Sequence, residues 1–258
     1  MNKEKHKVCV LTPVKNEEWI IDYFLSTTSL WADHIILNDQ NSTDKTKEIA
    51  RKYPKVIIIE NEGTEWSEIE RQSQLLEVVR NISGPKILIA LDADEILSSN
   101  ILDLGIDKLF DDLETGNSLQ FNWVNLLPSL EEGWEVQQSY PIAVIDGPSL
   151  LTDYKVIHGR KIPHGLMTKN KKINEVKVLH FQYFDWSRMK SKHRWYQTWE
   201  LIRNEFKRPC FIFRQYNHMN VMSKVELIKV DKSWFDGYQR NSLSTNSCLL
   251  YTSPSPRD

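Results

Sequence analysis

Four short apolar runs, Val8–Leu11, Ile35–Leu37, Val56–Ile59 and Ile87–Leu91, constrain the fold of this chain more than any other feature. None alternates apolar with polar residues as a half-exposed strand does, so each is expected to be buried on both faces. Helical segments separate them, and a helix returning the chain between buried strands produces a parallel, doubly wound α/β sheet. The helix signals agree with this layout. Asn16 is positioned to cap residues 17–30, Ser42 or Thr43 to cap a segment through Tyr53, and Ser67 with Glu70 reads as a capping box. Beyond the fourth run, Leu102, Ile106, Leu109, Phe110 and Leu113 recur at helical spacing.

The second half changes character. Leu119, Phe121 and Trp123 alternate with Gln120 and Asn122, then proline, glycine and aromatic residues predict mixed strands and loops. A last helix is predicted over Trp186–Phe206, rich in basic and aromatic residues, whose Trp195 and Trp199 are expected on a packed face. The chain is long enough for one large domain, and its hydrophobic share of 40% and charged share of 26% exclude a disordered chain. A formal net charge of -2 offers no attraction to nucleic acid. The apolar runs are too short to span a bilayer, and the charged start MNKEKHK leads into a strand, so a cytoplasmic location is expected. Cys9, Cys210 and Cys248 show no CxxC spacing, which argues against a disulfide framework or a cysteine zinc site. Residues 248–258, CLLYTSPSPRD, match one reading frame of a common sequencing-library transposon adapter. They read as a cloning or assembly scar, and the natural protein is expected to continue beyond Ser247.

Chemistry concentrates where strands end. In ILIALDADEI the fourth run leads directly into a DxD triplet, and side chains two apart project to the same side. Asp92 and Asp94, with Glu95 beside them, can therefore converge on one hard cation, with the ligand crevice at the carboxyl end of the strand. Asp39 ends the second run, where a carboxylate can accept hydrogen bonds from a base or ribose; Asp44 reads as a helix cap. The first run ends in Thr12, Pro13, Val14, Lys15, Asn16 and Glu17, so three polar loops are expected at one sheet edge.

LTPVKNEEW, ILNDQNSTDKT and LIALDADEIL, in this order and spacing, resemble the family 2 glycosyltransferases. The resemblance covers about the first hundred residues. It implies a GT-A type fold, Rossmann-like and mostly parallel, with a nucleotide-sugar-binding half over 1–115 and an acceptor-side half over 116–247 within one domain, 1–247. It places Pro13, Val14 and Glu17 along the donor base and ribose, Asp39 on the base and Arg71 near the nucleotide. It also assigns Asp92 to the ribose and metal waters, and Asp94 to a divalent manganese or magnesium ion. The donor it implies is a nucleotide sugar, uridine diphosphate-linked by expectation. The acceptor is a glycan or lipid-linked glycan in cell-surface polysaccharide or lipopolysaccharide synthesis. Gln40, Asn41 and Lys45 stand where small residues are frequent in the family pattern.

The family often adds a late histidine to the metal or phosphate, and His180 follows the run Val176, Val178 and Leu179. His158, Arg160, Lys161 and His164 are candidates to steady a departing diphosphate. Inverting transfer needs a general base, and among Glu131, Glu132, Asp146 and Asp153 the reading leans to Asp146 because it ends the apolar run PIAVID. Trp and Arg or Lys in FDWSRMKSKHRWYQTWELIR also suit peripheral contact with a membrane. Two rivals remain. A nucleotidyltransferase would carry a glycine-rich loop after the first strand, which TPVKNEEW lacks; a non-catalytic nucleotide- or glycan-binding relative would keep the fold without turnover.

Overall fold

The computed structural model describes residues 5–63, 67–136, 140–150, 161–163, 169–204, 206–218 and 225–238. The expectations for Asp153, His158, Arg160, His164 and the tail 248–258 fall outside them. The chain forms two compact units: Met1–Trp123 with Val136–Leu179 and Lys232–Ser244, and Val124–Glu135 with His180–Asp231 and Thr245–Asp258. They interleave along the chain.

All four apolar runs are strands of the first unit: β1 (Lys7–Val14), β2 (His34–Asp39), β3 (Val56–Glu60) and β4 (Lys86–Ala90). They are mutually parallel in the order β3-β2-β1-β4. Val10, Ile35, Ile36, Ile87, Leu88 and Ile89 have no exposed surface, which is why these strands carry no alternation. The exception is β3, the edge strand, most of whose residues are only half-buried. Between these strands run α1 (Ile21–Thr28), α2 (Thr46–Ala50) and α3 (Glu68–Arg80). Leu75, Leu76 and Val79 of α3 join Cys9, Leu11, Ile36, Leu88 and Ala90 in one core cluster. Each large aliphatic side chain buried this way contributes about 1.5–3 kcal/mol.

After β4 come β5 (Glu95–Leu97), α4 (Ile101–Leu104) and β6 (Ser118–Leu126). The helix predicted from Leu102 to Leu113 is broken. Gly105 adopts a left-handed φ of 74°, its N–H closes on the Ile101 carbonyl, and only a single 3-10 turn follows at Asp107–Phe110. Later in the chain lie β7 (Glu132–Glu135), β8 (Pro141–Ile145) and β9 (Asn170–His180). Strand β8 adds antiparallel to β4, the start of β6 adds to β8, and β5 pairs with β9.

The second unit contains the end of β6 paired with β7, and then β10 (Ile228–Lys229) on β7. Its helices are α5 (Trp186–Arg203), as predicted, and α6 (Pro209–Tyr216). Asp185 caps α5 by accepting the Arg188 N–H at 3.0 Å. The residues α5 buries are Met189, His193 and Glu200, so its inner face is mostly polar. Trp195, expected inside, is 43% exposed.

Candidate active site

Register decides what the strand ends bring together. Pro13 lies beside Asn38 and Val14 beside Asp39, while Leu11 pairs with Ala90 and still accepts the Leu91 N–H at 3.3 Å. The carboxyl ends of β1, β2 and β4 are therefore neighbours, and Pro13, Val14, Asp39, Asp92 and Asp94 share that edge.

Two of the loops on this edge hold each other. Asn16 has a left-handed φ of 55°, donates its N–H to Ser42 Oγ at 2.9 Å and accepts the Thr43 N–H on Oδ1 at 2.8 Å. Glu17 donates its N–H to Thr46 Oγ1 at 2.8 Å, and Lys45 donates to Glu18 Oε2 at 3.0 Å. Asn16 is thus not a helix cap. Its side chain is committed across to the second loop, and α1 starts only at Ile21, without a side-chain cap. Asp44 is a cap of sorts: its Oδ1 accepts the Thr46 N–H at 2.9 Å at the start of α2. The Glu17 carboxylate accepts the Trp19 indole N–H at 2.7 Å.

Asp39 is 1% exposed. Its Oδ2 accepts the Ser42 N–H at 3.0 Å and lies 3.9 Å from Lys47 Nζ, whereas Oδ1 has no hydrogen-bond partner among the described residues. A buried carboxylate oxygen in that state is costly unless something donates to it. Arg71, on α3, is also buried, and its carbonyl accepts from the Asn38 amide at 3.4 Å. Ser67 caps that helix by accepting the Glu70 N–H at 3.2 Å, as its sequence predicts.

The DxD segment is a closed turn. Asp92 accepts the Glu95 N–H on its carbonyl at 2.9 Å, and Glu95 Oε2 accepts the Asp92 N–H at 3.0 Å. Asp94 is buried within it. Lys161 Nζ then donates to Asp92 Oδ2 at 2.9 Å and to Glu95 Oε1 and Oε2 at 2.8 and 2.7 Å. The Trp123 indole N–H reaches Glu95 Oε1 at 3.3 Å, with the Lys161 ammonium 5.6 Å from the Trp123 ring centroid. Burial opposes the charge on Lys161, but Asp92 and then Glu95 outweigh it, so its pKa stands above the ordinary lysine value. Sequence reasoning had Lys161 only as a diphosphate contact and missed Trp123, whose sole signal was its place in the alternating run of β6.

One candidate sits elsewhere. Asp146 follows β8, and its N–H bonds the Lys86 carbonyl at 3.0 Å, at the end of β4 opposite the DxD turn. Arg80 grips it with Nε at 3.3 Å and an Nη at 2.9 Å, and also donates to the Gly147 and Leu150 carbonyls. A carboxylate neutralised by a forked guanidinium away from the crevice is not a general base, so the lean to Asp146 is corrected. His180 belongs to the second unit, where its Nδ1 lies 2.8 Å from Asn125 Oδ1. Glu131 and Glu132, in the same unit, flank and begin β7.

The strand order and the edge on which these residues meet define a doubly wound type of α/β domain, in which the ligand crevice lies outside the carboxyl ends of the strands. More narrowly, residues 9–132 match the family model "Glycosyl transferase family 2". No curated protein matches the chain. Among solved structures it is similar to glucosyl-3-phosphoglycerate synthase from Mycobacterium tuberculosis in complex with phosphoglyceric acid, at 21% identity and a TM-score of 0.35, covering 46% of this chain and 44% of that one. The same enzyme with manganese, uridine diphosphate and glucosyl-3-phosphoglycerate gives 24% identity and a TM-score of 0.34, with coverage of 46% and 44%. Its uridine diphosphate complex gives 20% and 0.36, with coverage of 49% and 47%. The chain spans less than half the length of these structures.

Proposed function

We propose that this chain is a glycosyltransferase that uses a divalent metal to transfer a sugar from a nucleotide diphosphate sugar to a glycan or lipid-linked glycan acceptor, with inversion, in cell-surface polysaccharide synthesis. The observation that carries the reading is the meeting of Asp39, Asp92 and Asp94 at the carboxyl ends of neighbouring parallel strands inside the family 2 stretch. Asp39 Oδ1 supplies a buried acceptor suited to a base N–H, and Pro13 and Val14 form the wall beside it. Glu17 and Arg71 flank the same edge and are assigned to the ribose and the nucleotide.

Magnesium or manganese fits the donor set. Such ions accept one or two carboxylates together with substrate phosphates instead of a cage built wholly by protein. Asp94 and Asp92 are the residues to hold it. When bound, the ion stabilises the negative charge of the leaving nucleotide diphosphate. Lys161 keeps the Asp92 and Glu95 carboxylates oriented, and Trp123 covers the Glu95 side of the turn.

Calorimetric titration with uridine diphosphate, with and without manganese, tests the reading. Manganese-dependent binding is expected, and Asp94→Ala should weaken it by about 2 kcal/mol, roughly thirtyfold. Folded protein that binds no uridine, guanosine or thymidine diphosphate with any metal removes the donor site. Binding without sugar turnover selects the non-catalytic relative.

A further inference from the structure

The helices of the second unit carry a surface that the donor site does not use. Large apolar side chains exposed among the described residues number eleven, and six of them, Trp195, Leu201, Ile202, Phe206, Phe211 and Phe213, fall in one short stretch running from α5 across the connecting turn into α6. Ile202 is 74% exposed and Phe206, in the turn between the helices, 98%. On α5, Trp195 and Ile202 lie seven residues apart and so on one face, away from the buried Met189, His193 and Glu200. On α6 the buried residues are Ile212 and Tyr216, leaving Phe211, Phe213 and Arg214 outside.

The charged side chains of this stretch are mainly cationic. Arg188, Lys190, Lys192, Arg194, Arg203, Lys207, Arg208 and Arg214 lie between Trp186 and Tyr216. The carboxylate among the described residues of that stretch is Glu200, which is 1% exposed and neutralised internally by Lys207 Nζ at 2.7 Å. The stretch also contains Glu205, which lies outside the described residues. Yet the chain as a whole carries a net charge of -2. The cations are therefore concentrated in the same stretch of chain as the exposed aromatic and aliphatic side chains.

We infer that this exposed stretch, from α5 through Phe206 to α6, docks on an anionic lipid surface, with Ile202, Phe206, Phe211 and Phe213 entering the interface and the arginines meeting the headgroups. Arginine and lysine interleaved with Trp and Phe match that boundary, where apolar bodies leave water while charges stay wet. A second copy of the chain is a poor occupant: two-fold pairing sets the patch against itself and brings its cations face to face. The inference is independent of the donor site.

Cosedimentation with vesicles tests it. Binding is expected to vesicles of phosphatidylcholine with a third phosphatidylglycerol, not to phosphatidylcholine alone, and to weaken in high salt. The double variant Ile202→Asp with Phe211→Asp should lose at least tenfold in partitioning, and Asp94→Ala should lose none. Brominated lipids should quench the tryptophan fluorescence of the unaltered protein, a readout that needs no variant. Equal binding to both vesicle types, absence of quenching, or a dimer in sedimentation velocity that the double variant dissolves would each overturn the inference.

Discussion

At the residue scale, one ammonium occupies the carboxylates of the DxD turn. Lys161 bonds both Asp92 and Glu95, so a divalent cation must compete with it for Asp92. Lys161→Met should therefore raise manganese affinity several-fold in the absence of nucleotide, measured by calorimetry; unchanged affinity would mean that Asp92 takes no part in holding the ion. Asp39→Ala should weaken nucleotide diphosphate binding by about 1.5–3 kcal/mol through loss of a buried charged acceptor, read in the same titration. Asp146→Asn belongs to another class. It breaks a forked pair with Arg80 remote from the turn, so urea unfolding should show a loss of about 1–2 kcal/mol with nucleotide affinity unaltered. Asp92 and Asp94 were legible because their relation is local, a strand end and a spacing of two. The tie from Lys161 to Asp92 spans 69 residues, and no local pattern announces it.

At the element scale, the strands followed from composition alone, because a run buried on both faces has to be continuously apolar. Helix starts were less readable. Ser67 caps α3 as its motif says, and Ser67→Ala should cost about 1 kcal/mol, seen as a lower thermal midpoint. Asn16 has the same chemistry and a different fate, since a partner loop competes successfully for its side chain. Gly133 shows a constraint no periodicity reveals: a Cβ there would stand 2.4 Å from the Asn125 carbonyl oxygen across the β6–β7 pair. Gly133→Ala should force that ladder apart and lower the melting temperature, whereas a substitution at exposed Lys229 of β10 should not.

At the scale of the molecule, the second unit holds a buried histidine that makes stability depend on pH. His193 accepts the Gln182 amide on Nε2 at 2.7 Å and donates Nδ1–H to the Tyr216 carbonyl at 3.3 Å, the pattern of a neutral ring. Burial first, and His218 second, lower its pKa from 6.5 to about 4. The unfolded chain then binds the proton more tightly than the native one. Stability is full above about pH 6.5, falls as the pH drops toward 4 and levels below that. The loss should be roughly 2 kcal/mol after solvent screening, and His193→Gln should flatten this part of the profile in urea titrations across that range.

The sequence by itself determined the α/β class, the parallel strands and the carboxylates at their ends, because burial on two faces and residues two apart are local properties of a chain. Tertiary structure alone decided which charges meet. It placed Lys161 on the DxD turn, withdrew Asp146 to the far end of β4, and turned α5 so that His193 and Glu200 lie inside while Trp195 and Ile202 face water. Those outcomes depend on pairings between residues far apart in the chain, whose energies are set by strand register and helix rotation and leave no periodic mark in the order of amino acids.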